Sequence, residues 1–155
     1  MPTTHHGILV HVVFSTKQRF KLLNDKWREE LFAYIGGIAP EHKSILLKSG
    51  GTEDHVHLLL KTHPGFAISE TIKLIKGNSS RWVNANQKIN ARFEWQRGYG
   101  IFSVSESMSE RVKHYIENQQ EHHRHQSFED EYIAFLAKHN IEYDPRFVFD
   151  DIHAG

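Results

Sequence analysis

The sequence predicts an α+β domain in which an antiparallel sheet carries helices on one face. Three observations lead there. Apolar runs rich in β-branched residues alternate with segments of helical periodicity in the order β-α-β-β-α-β, the two central strands are joined by a short Gly-rich connection, and two more helices follow. At 155 residues the chain has room for one domain with a core of its own.

Gly7 to Phe14 is nearly unbroken apolar sequence and reads as a buried strand ending at Ser15-Thr16-Lys17. Asp25 can cap a helix running to about Ile35, with Trp27, Leu31, Ala33 and Ile35 toward the core and Gly36-Gly37 and Pro40 as stop signals. Lys43 to Lys48 and His55 to Lys61 read as strands joined by Ser49-Gly50-Gly51-Thr52. A second helix covers about Ala67 to Asn84, with Ile68, Ile72, Ile75 and Trp82 near helical spacing. Phe93 to Trp95 and Tyr99 to Val104 are strand-like around Arg97-Gly98. A third helix begins near Ser107, where Ser107 and Glu110 form a capping-box pattern, and continues through the histidines at 122–125. A fourth covers about Phe128 to His139, with acidic residues first and basic residues last, as the helix dipole favours, before an extended tail to Gly155. This order is that of a ferredoxin-like sheet, residues 1–104, followed by a tyrosine-bearing helix over 105–126 and a C-terminal helix and tail over 127–155.

Composition narrows the chemistry. With no cysteine, the chain has no disulfide, thiol nucleophile or thiolate metal site, while 13 histidines make imidazole the first group to consider for metal or proton chemistry. No apolar run reaches membrane-spanning length, and MPTTHHGILVHVVF lacks a basic region and a signal-type cleavage pattern, so a cytoplasmic protein is expected. The net charge of +0 conceals an asymmetry: residues 1–100 hold 14 Lys/Arg against 8 Asp/Glu, and residues 101–155 hold 5 against 11. An anion-binding surface therefore belongs mostly to the first two thirds.

Two constellations carry chemistry. In Asp54-His55-Val56-His57-Leu58-Leu59-Leu60, strand alternation sends Val56, Leu58 and Leu60 to one face and leaves His55 and His57 side by side on the other, spaced to chelate one cation. No helix is assigned to that histidine face, which leaves it for a partner or a bound strand to cover. On the third helix, Tyr115 and Gln119 are one turn apart on a common face.

Taken together these residues resemble a known family. His55-Val56-His57 is similar to the histidine-hydrophobic-histidine (HUH) motif of single-strand DNA nucleases, and Tyr115-Ile116-Glu117-Asn118-Gln119, followed by His122-His123-Arg124, to their single-tyrosine helix. Val12 to Lys17, Leu74 to Ser80 and Trp95 to Gly100 extend the likeness to the single-tyrosine transposases of small bacterial insertion sequences, the IS-two-hundred group. The resemblance implies that His55, His57 and Gln119 hold Mg²⁺ or Mn²⁺, and that Tyr115 attacks the scissile phosphate to give a 5′-phosphotyrosine and a free 3′-OH. It further implies single-stranded DNA with hairpin ends as partner, and a homodimer whose active sites are shared between subunits.

Two imidazoles and an amide are uncharged, so weak metal binding without DNA is expected, and by ligand type Zn²⁺ or Mn²⁺ suits them as well as Mg²⁺. His114, His122 and metal-bound water are the candidate bases. His122, His123 and His125 read as exposed or packed against the tail, with a ligand role as the alternative. Lys17, Arg19, Lys73, Lys76 and Arg81 are the candidate DNA contacts, the aromatics around Trp95 read as core, and Glu129-Asp130-Glu131 has no role beyond bracing. Two other functions fit the same residues: a domesticated hairpin-binding protein that no longer cuts, and a His-metal hydrolase that would tolerate Tyr115→Phe.

Overall fold

The computed structural model of the chain describes residues 3–149. Strands β1 (Ile8–Ser15), β2 (Ile45–Gly51), β3 (His55–Thr62) and β4 (Gly100–Val104) form one antiparallel sheet in the order β2-β3-β1-β4. Helices α1 (Asp25–Ile38) and α2 (Ile68–Ala85) connect its strands. After β4 come α3 (Ser109–Glu117), α4 (Gln119–His122) and α5 (Phe128–Lys138). This is the ferredoxin-like order read from the sequence.

Register explains why β1 is apolar apart from His11 and Ser15. Phe14 lies opposite Val56 and Val12 opposite Leu58, and these side chains meet Trp27, Leu31 and Ile35 of α1 and Ile72 and Ile75 of α2. Their neighbours point the other way: Val13 lies opposite His57, Ser15 opposite His55, and His11 between Leu59 and Phe102. A central strand buried on both faces has no polar side to show.

That second face is where the expectation of an uncovered histidine surface fails. The chain covers it itself, with Ile116 of α3 against Leu9 and Leu59, and Phe128 and Leu136 of α5 against Val13 and Phe102. Sequence periodicity identifies α5 as a helix but does not say which sheet face it packs on.

Local boundaries differ from the sequence pattern for identifiable reasons. Helix α1 runs through Gly36 and Gly37 to Ile38, because packing of Ile35 outweighs a propensity cost of about 1 kcal/mol per glycine. Its cap is Asn24, whose side chain accepts from the Lys26 amide at 2.8 Å, and Asp25 is the first helical residue. The capping box is absent: residues 106–108 form a 3₁₀ turn, so Ser107 lies inside it and bonds Ser105 at 3.1 Å, while Glu110 pairs with Lys113 at 3.2 Å. The chain is also interrupted at Asn118 between α3 and α4. Of the expected strand at 93–95 only a bridge between Thr16 and Trp95 forms. Phe93 and Trp95 are core, fixed by Asn84, which exchanges two hydrogen bonds with the Phe93 backbone, and by Ser79, which accepts from the Trp95 indole at 2.9 Å. Residues 150–155 of the expected tail lie outside the described residues.

One glycine sets how close the tyrosine helix comes to the sheet. Gly50 sits opposite His57 on β2, and a Cβ added there would overlap the carbonyl oxygen of Ile116, a backbone atom that cannot swing aside. Gly50→Ala should therefore destabilise the fold by about 1–3 kcal/mol, as overpacking does, read from the midpoint of urea unfolding. A midpoint equal to wild type would mean that α3 is not seated against β2.

Candidate active site

Strand β3 presents His55 and His57 on the face that α3, α4 and α5 cover, and both imidazoles are fully buried. His55 Nδ1 lies 2.7 Å from Asp54 Oδ1 and 3.0 Å from Thr52 Oγ1, and its Nε2 lies 3.0 Å from Gln119 Oε1. His57 Nδ1 lies 2.8 Å from Nε2 of the buried His11, and its own Nε2 lies 3.0 Å from Glu131 Oε1. Each ring thus has one nitrogen held from behind and the other aimed into the site.

Glu131, in the first turn of α5, is the hub. Its Oε1 is 3.0 Å from His57 Nε2 and 3.0 Å from His123 Nε2. Its Oε2 accepts from the Tyr115 hydroxyl and from Gln119 Nε2, the latter at 3.2 Å. Tyr115 also stacks on His122, ring centroids 4.5 Å apart. The four residues singled out from sequence, His55, His57, Tyr115 and Gln119, are therefore brought together within one chain. The acceptor at the tyrosine hydroxyl is a carboxylate, and exposed His114 stands away from it.

Electrostatics follows from burial. Desolvation lowers His57 from its usual range to about 4, against the opposing pull of Glu131, and lowers His11 to about 3. Burial alone would raise Glu131, but hydrogen bonds from His123, His57 and Tyr115 outweigh it and keep the carboxyl well below the usual carboxylate range. Burial and then the Glu131 hydrogen bond and charge push Tyr115 up. His123, although burial acts against it, is raised by the same carboxylate.

His55, His57, His123 and Glu131 each place one ligand atom within 4.8 Å of the others, so the donor set fits a divalent cation. Two of these four are not evident from sequence. There His123 resembles one more exposed helix-end histidine, and Glu131 one of three carboxylates matching a helix dipole. Only tertiary packing aims them inward.

The cationic candidates stand differently from one another. Lys73 and Arg81 are exposed on α2, and Lys17 pairs with Glu94 at 3.0 Å. Arg19 donates to Gln96 Oε1 at 2.8 Å and lies 3.6 Å from Glu129. Lys76 is tied inward, donating to the carbonyls of Gln96 and Gly98, both at 2.7 Å, over the Phe14 and Tyr99 rings. Its ammonium pins the 96–98 turn. A cleft of about 1050 Å³, with Lys21, Lys26, Asp54, Lys88, His123 and Arg124 among its walls, opens beside the imidazole cluster. Among the described residues no helix is long and apolar enough to cross a membrane.

Comparison with known proteins agrees with this geometry. The family model described as "Transposase IS200 like" matches residues 4–119, three quarters of the chain. The chain belongs to the IS200-like transposase family. The ISDra2 transposase TnpA of Deinococcus radiodurans is 29% identical over 114 residues, covering 70% of this chain and 81% of that protein. The transposase for insertion sequence element IS200 of Salmonella typhimurium is 25% identical over 116 residues, covering 72% and 76%. A crystal structure described as a candidate transposase from Deinococcus radiodurans superposes with a TM-score of 0.62 at 27% identity, covering 77% of this chain and 95% of that one. A REP-associated tyrosine transposase bound to a REP hairpin shares the fold, with a TM-score of 0.52 at 14% identity, covering 75% and 68%.

The buried histidines give the metal-free protein a pH dependence. Their folded pKa values lie below the unfolded value of about 6.5, so the unfolded chain takes up protons that the folded one refuses. Stability from His11 and His57 is complete above that value and is lost as pH falls toward about 4; His123, shifted the opposite way, offsets only part. Thermal melts in chelator should show the midpoint falling from pH 7 to pH 4.5, by roughly 2–4 °C per kcal/mol lost. A flat or rising midpoint would mean that the pair is not buried as neutral imidazoles.

Proposed function

We propose that this chain cuts and rejoins single-stranded DNA through Tyr115. The observation that carries the proposal is that the Tyr115 hydroxyl and the His57 imidazole contact opposite oxygens of one carboxylate, which puts a nucleophile beside a metal-binding pair. Family membership supports the same reaction class.

Tyr115 attacks the scissile phosphorus in line. The Tyr115 Oη–P bond forms as the bond from phosphorus to the 3′ oxygen breaks, leaving a 5′-phosphotyrosine and a 3′-OH; the phenol gives up one proton and the leaving oxygen gains one. Because the phosphodiester is kept as a tyrosyl ester, another 3′-OH can reverse the step and join new ends. His55, His57 and Gln119 would hold a divalent ion, Mg²⁺ or Mn²⁺. When bound, that ion supplies a positive charge against the non-bridging phosphate oxygens as negative charge develops. Glu131 and the ring of His122 fix where the hydroxyl points, and Asp54 and His11 fix the two imidazoles from behind.

The substrate is single-stranded DNA from the ends of a small mobile element in the cytoplasm, with hairpins as the recognised shape. The cleft beside His123 is the path for the strand to be cut. Lys17, Lys73 and Arg81, with exposed or half-exposed head groups, are the stronger candidates for backbone contacts, and Arg19 can serve where DNA displaces Glu129. The resemblance implies a homodimer whose active sites are shared between subunits, whereas within this chain the tyrosine helix lies on its own sheet.

A covalent-adduct assay tests this. Wild type and Tyr115→Phe are mixed with single strands from the DNA flanking the gene, with Mg²⁺ or Mn²⁺, and resolved on denaturing gels. The expected result is a metal-dependent adduct reduced at least about a hundredfold in the variant and absent with duplex. Cleavage that survives in Tyr115→Phe would replace this reading with a water-using hydrolase. Binding without cleavage would leave a hairpin-binding protein.

A further inference from the structure

We propose that Glu131 and His123 are metal ligands, so that the C-terminal part of this chain converts a neutral histidine pair into an anionic site able to take a divalent cation before DNA arrives. The proposal deepens the metal reading given above and rests on it. Both residues lie beyond position 119, where the family match ends.

Spacing is the first support. Glu131 Oε1 lies 3.0 Å from His57 Nε2, 3.0 Å from His123 Nε2 and 3.5 Å from His55 Nε2. Ligands placed about 2.1 Å from a common ion in tetrahedral or octahedral geometry stand about 3.0–3.4 Å apart. The distances from the carboxylate oxygen to His57 and His123 are therefore those of a coordination shell, and the one to His55 is just longer.

Charge is the second. Glu131 is 2% exposed, and a buried carboxylate is costly unless a cation or several donors compensate it. His55 and His57 beside it are themselves fully buried. Donors from His57, His123, Tyr115 and Gln119 converge on this carboxylate, and a divalent ion would meet its negative charge at the same point.

The rings behind the site are the third and independent support. Metal-ligating histidines characteristically have the second nitrogen held by a carboxylate or another polar group, which fixes tautomer and orientation. His55 has Asp54 in that position and His57 has His11. A fully buried imidazole needs a partner at each nitrogen, and here the rear partners leave the two Nε2 atoms turned toward Glu131.

The donor set also indicates which ion. Three imidazoles and one carboxylate favour Mn²⁺ or Zn²⁺ over Mg²⁺, which prefers an all-oxygen shell rich in water. Gln119 Oε1, at 3.0 Å from His55 Nε2, borders the same space, and Glu131 Oε2 stays on the Tyr115 hydroxyl. One carboxylate then faces the ion with one oxygen and the nucleophile with the other.

Isothermal titration of the chelator-treated, DNA-free full chain with MnCl₂ tests this, using manganese electron paramagnetic resonance as a second readout. Wild type should bind one Mn²⁺, and Mg²⁺ at least tenfold more weakly. Glu131→Gln should weaken Mn²⁺ at least tenfold and His123→Asn several-fold, with Glu70→Gln, an exposed carboxylate on α2, unchanged within twofold. Wild-type affinity in Glu131→Gln would overturn the proposal; should that variant fail to fold, His123→Asn decides, and unchanged affinity there overturns it equally. No Mn²⁺ binding by wild type without DNA would also overturn it, whereas the metal dependence of the adduct assay, with DNA present, tests the underlying metal reading separately.

Discussion

A carboxylate buried under a β-sheet has to be surrounded by donors, and the need to satisfy Glu131 organises this half of the molecule. Its two oxygens take contacts from β3 through His57, from α3 through Tyr115, from α4 through Gln119, and from the turn after α4 through His123. Four segments separated in sequence are thereby held at one point. Moving α5 away would leave a buried hydroxyl, an amide and two imidazoles short of a partner, each at about 1–3 kcal/mol. The placement of the Tyr115 hydroxyl and the placement of the histidine pair are for this reason one constraint.

The two faces of the sheet divide the labour. On the α1–α2 face the side chains are apolar and interlocked, and Trp95 and Phe93 are fixed by Ser79 and Asn84. On the other face, apolar groups such as Leu9, Leu59, Val13 and Phe102 surround a polar centre and exclude water from it. Charge interactions are stronger in such surroundings than in solvent, so the contacts made by Glu131 count for more here than they would at the surface. The same enclosure, with the Glu131 carboxylate, raises the Tyr115 pKa and keeps its hydroxyl a neutral phenol.

Much of this is legible in the sequence, and the boundary of what is legible is physical. Strand alternation places His55 and His57 on one face, and helical spacing places Tyr115 and Gln119 together, because both periods are local properties of backbone geometry. The cover over the histidine face is not legible, since Phe128 and Leu136 declare an amphipathic helix but not its partner surface. Glu131 is hidden for a related reason: three adjacent acidic residues at a helix start look alike until packing turns one inward. Lys76 shows the converse, a charge that reads as a ligand contact and is consumed by two backbone carbonyls. The capping pattern at Ser107 loses to a 3₁₀ turn that one residue's preference does not outweigh.

The arrangement of the site has one chain supplying both the Tyr115 helix and the histidine face on which it packs. Because the chain has no cysteine, that arrangement can be read directly by cross-linking. Lys48 on β2 and Glu117 at the end of α3 form an ion pair at 3.5 Å across that junction, and both side chains reach solvent. The double variant Lys48→Cys, Glu117→Cys is treated with a short bis-maleimide at low protein concentration and run on a denaturing gel, with tryptic mass spectrometry of the bands. The structure predicts a linked peptide pair within the monomer band; linkage found in a covalent dimer, with the monomer band unlinked, would contradict it by placing each tyrosine helix on the partner's sheet.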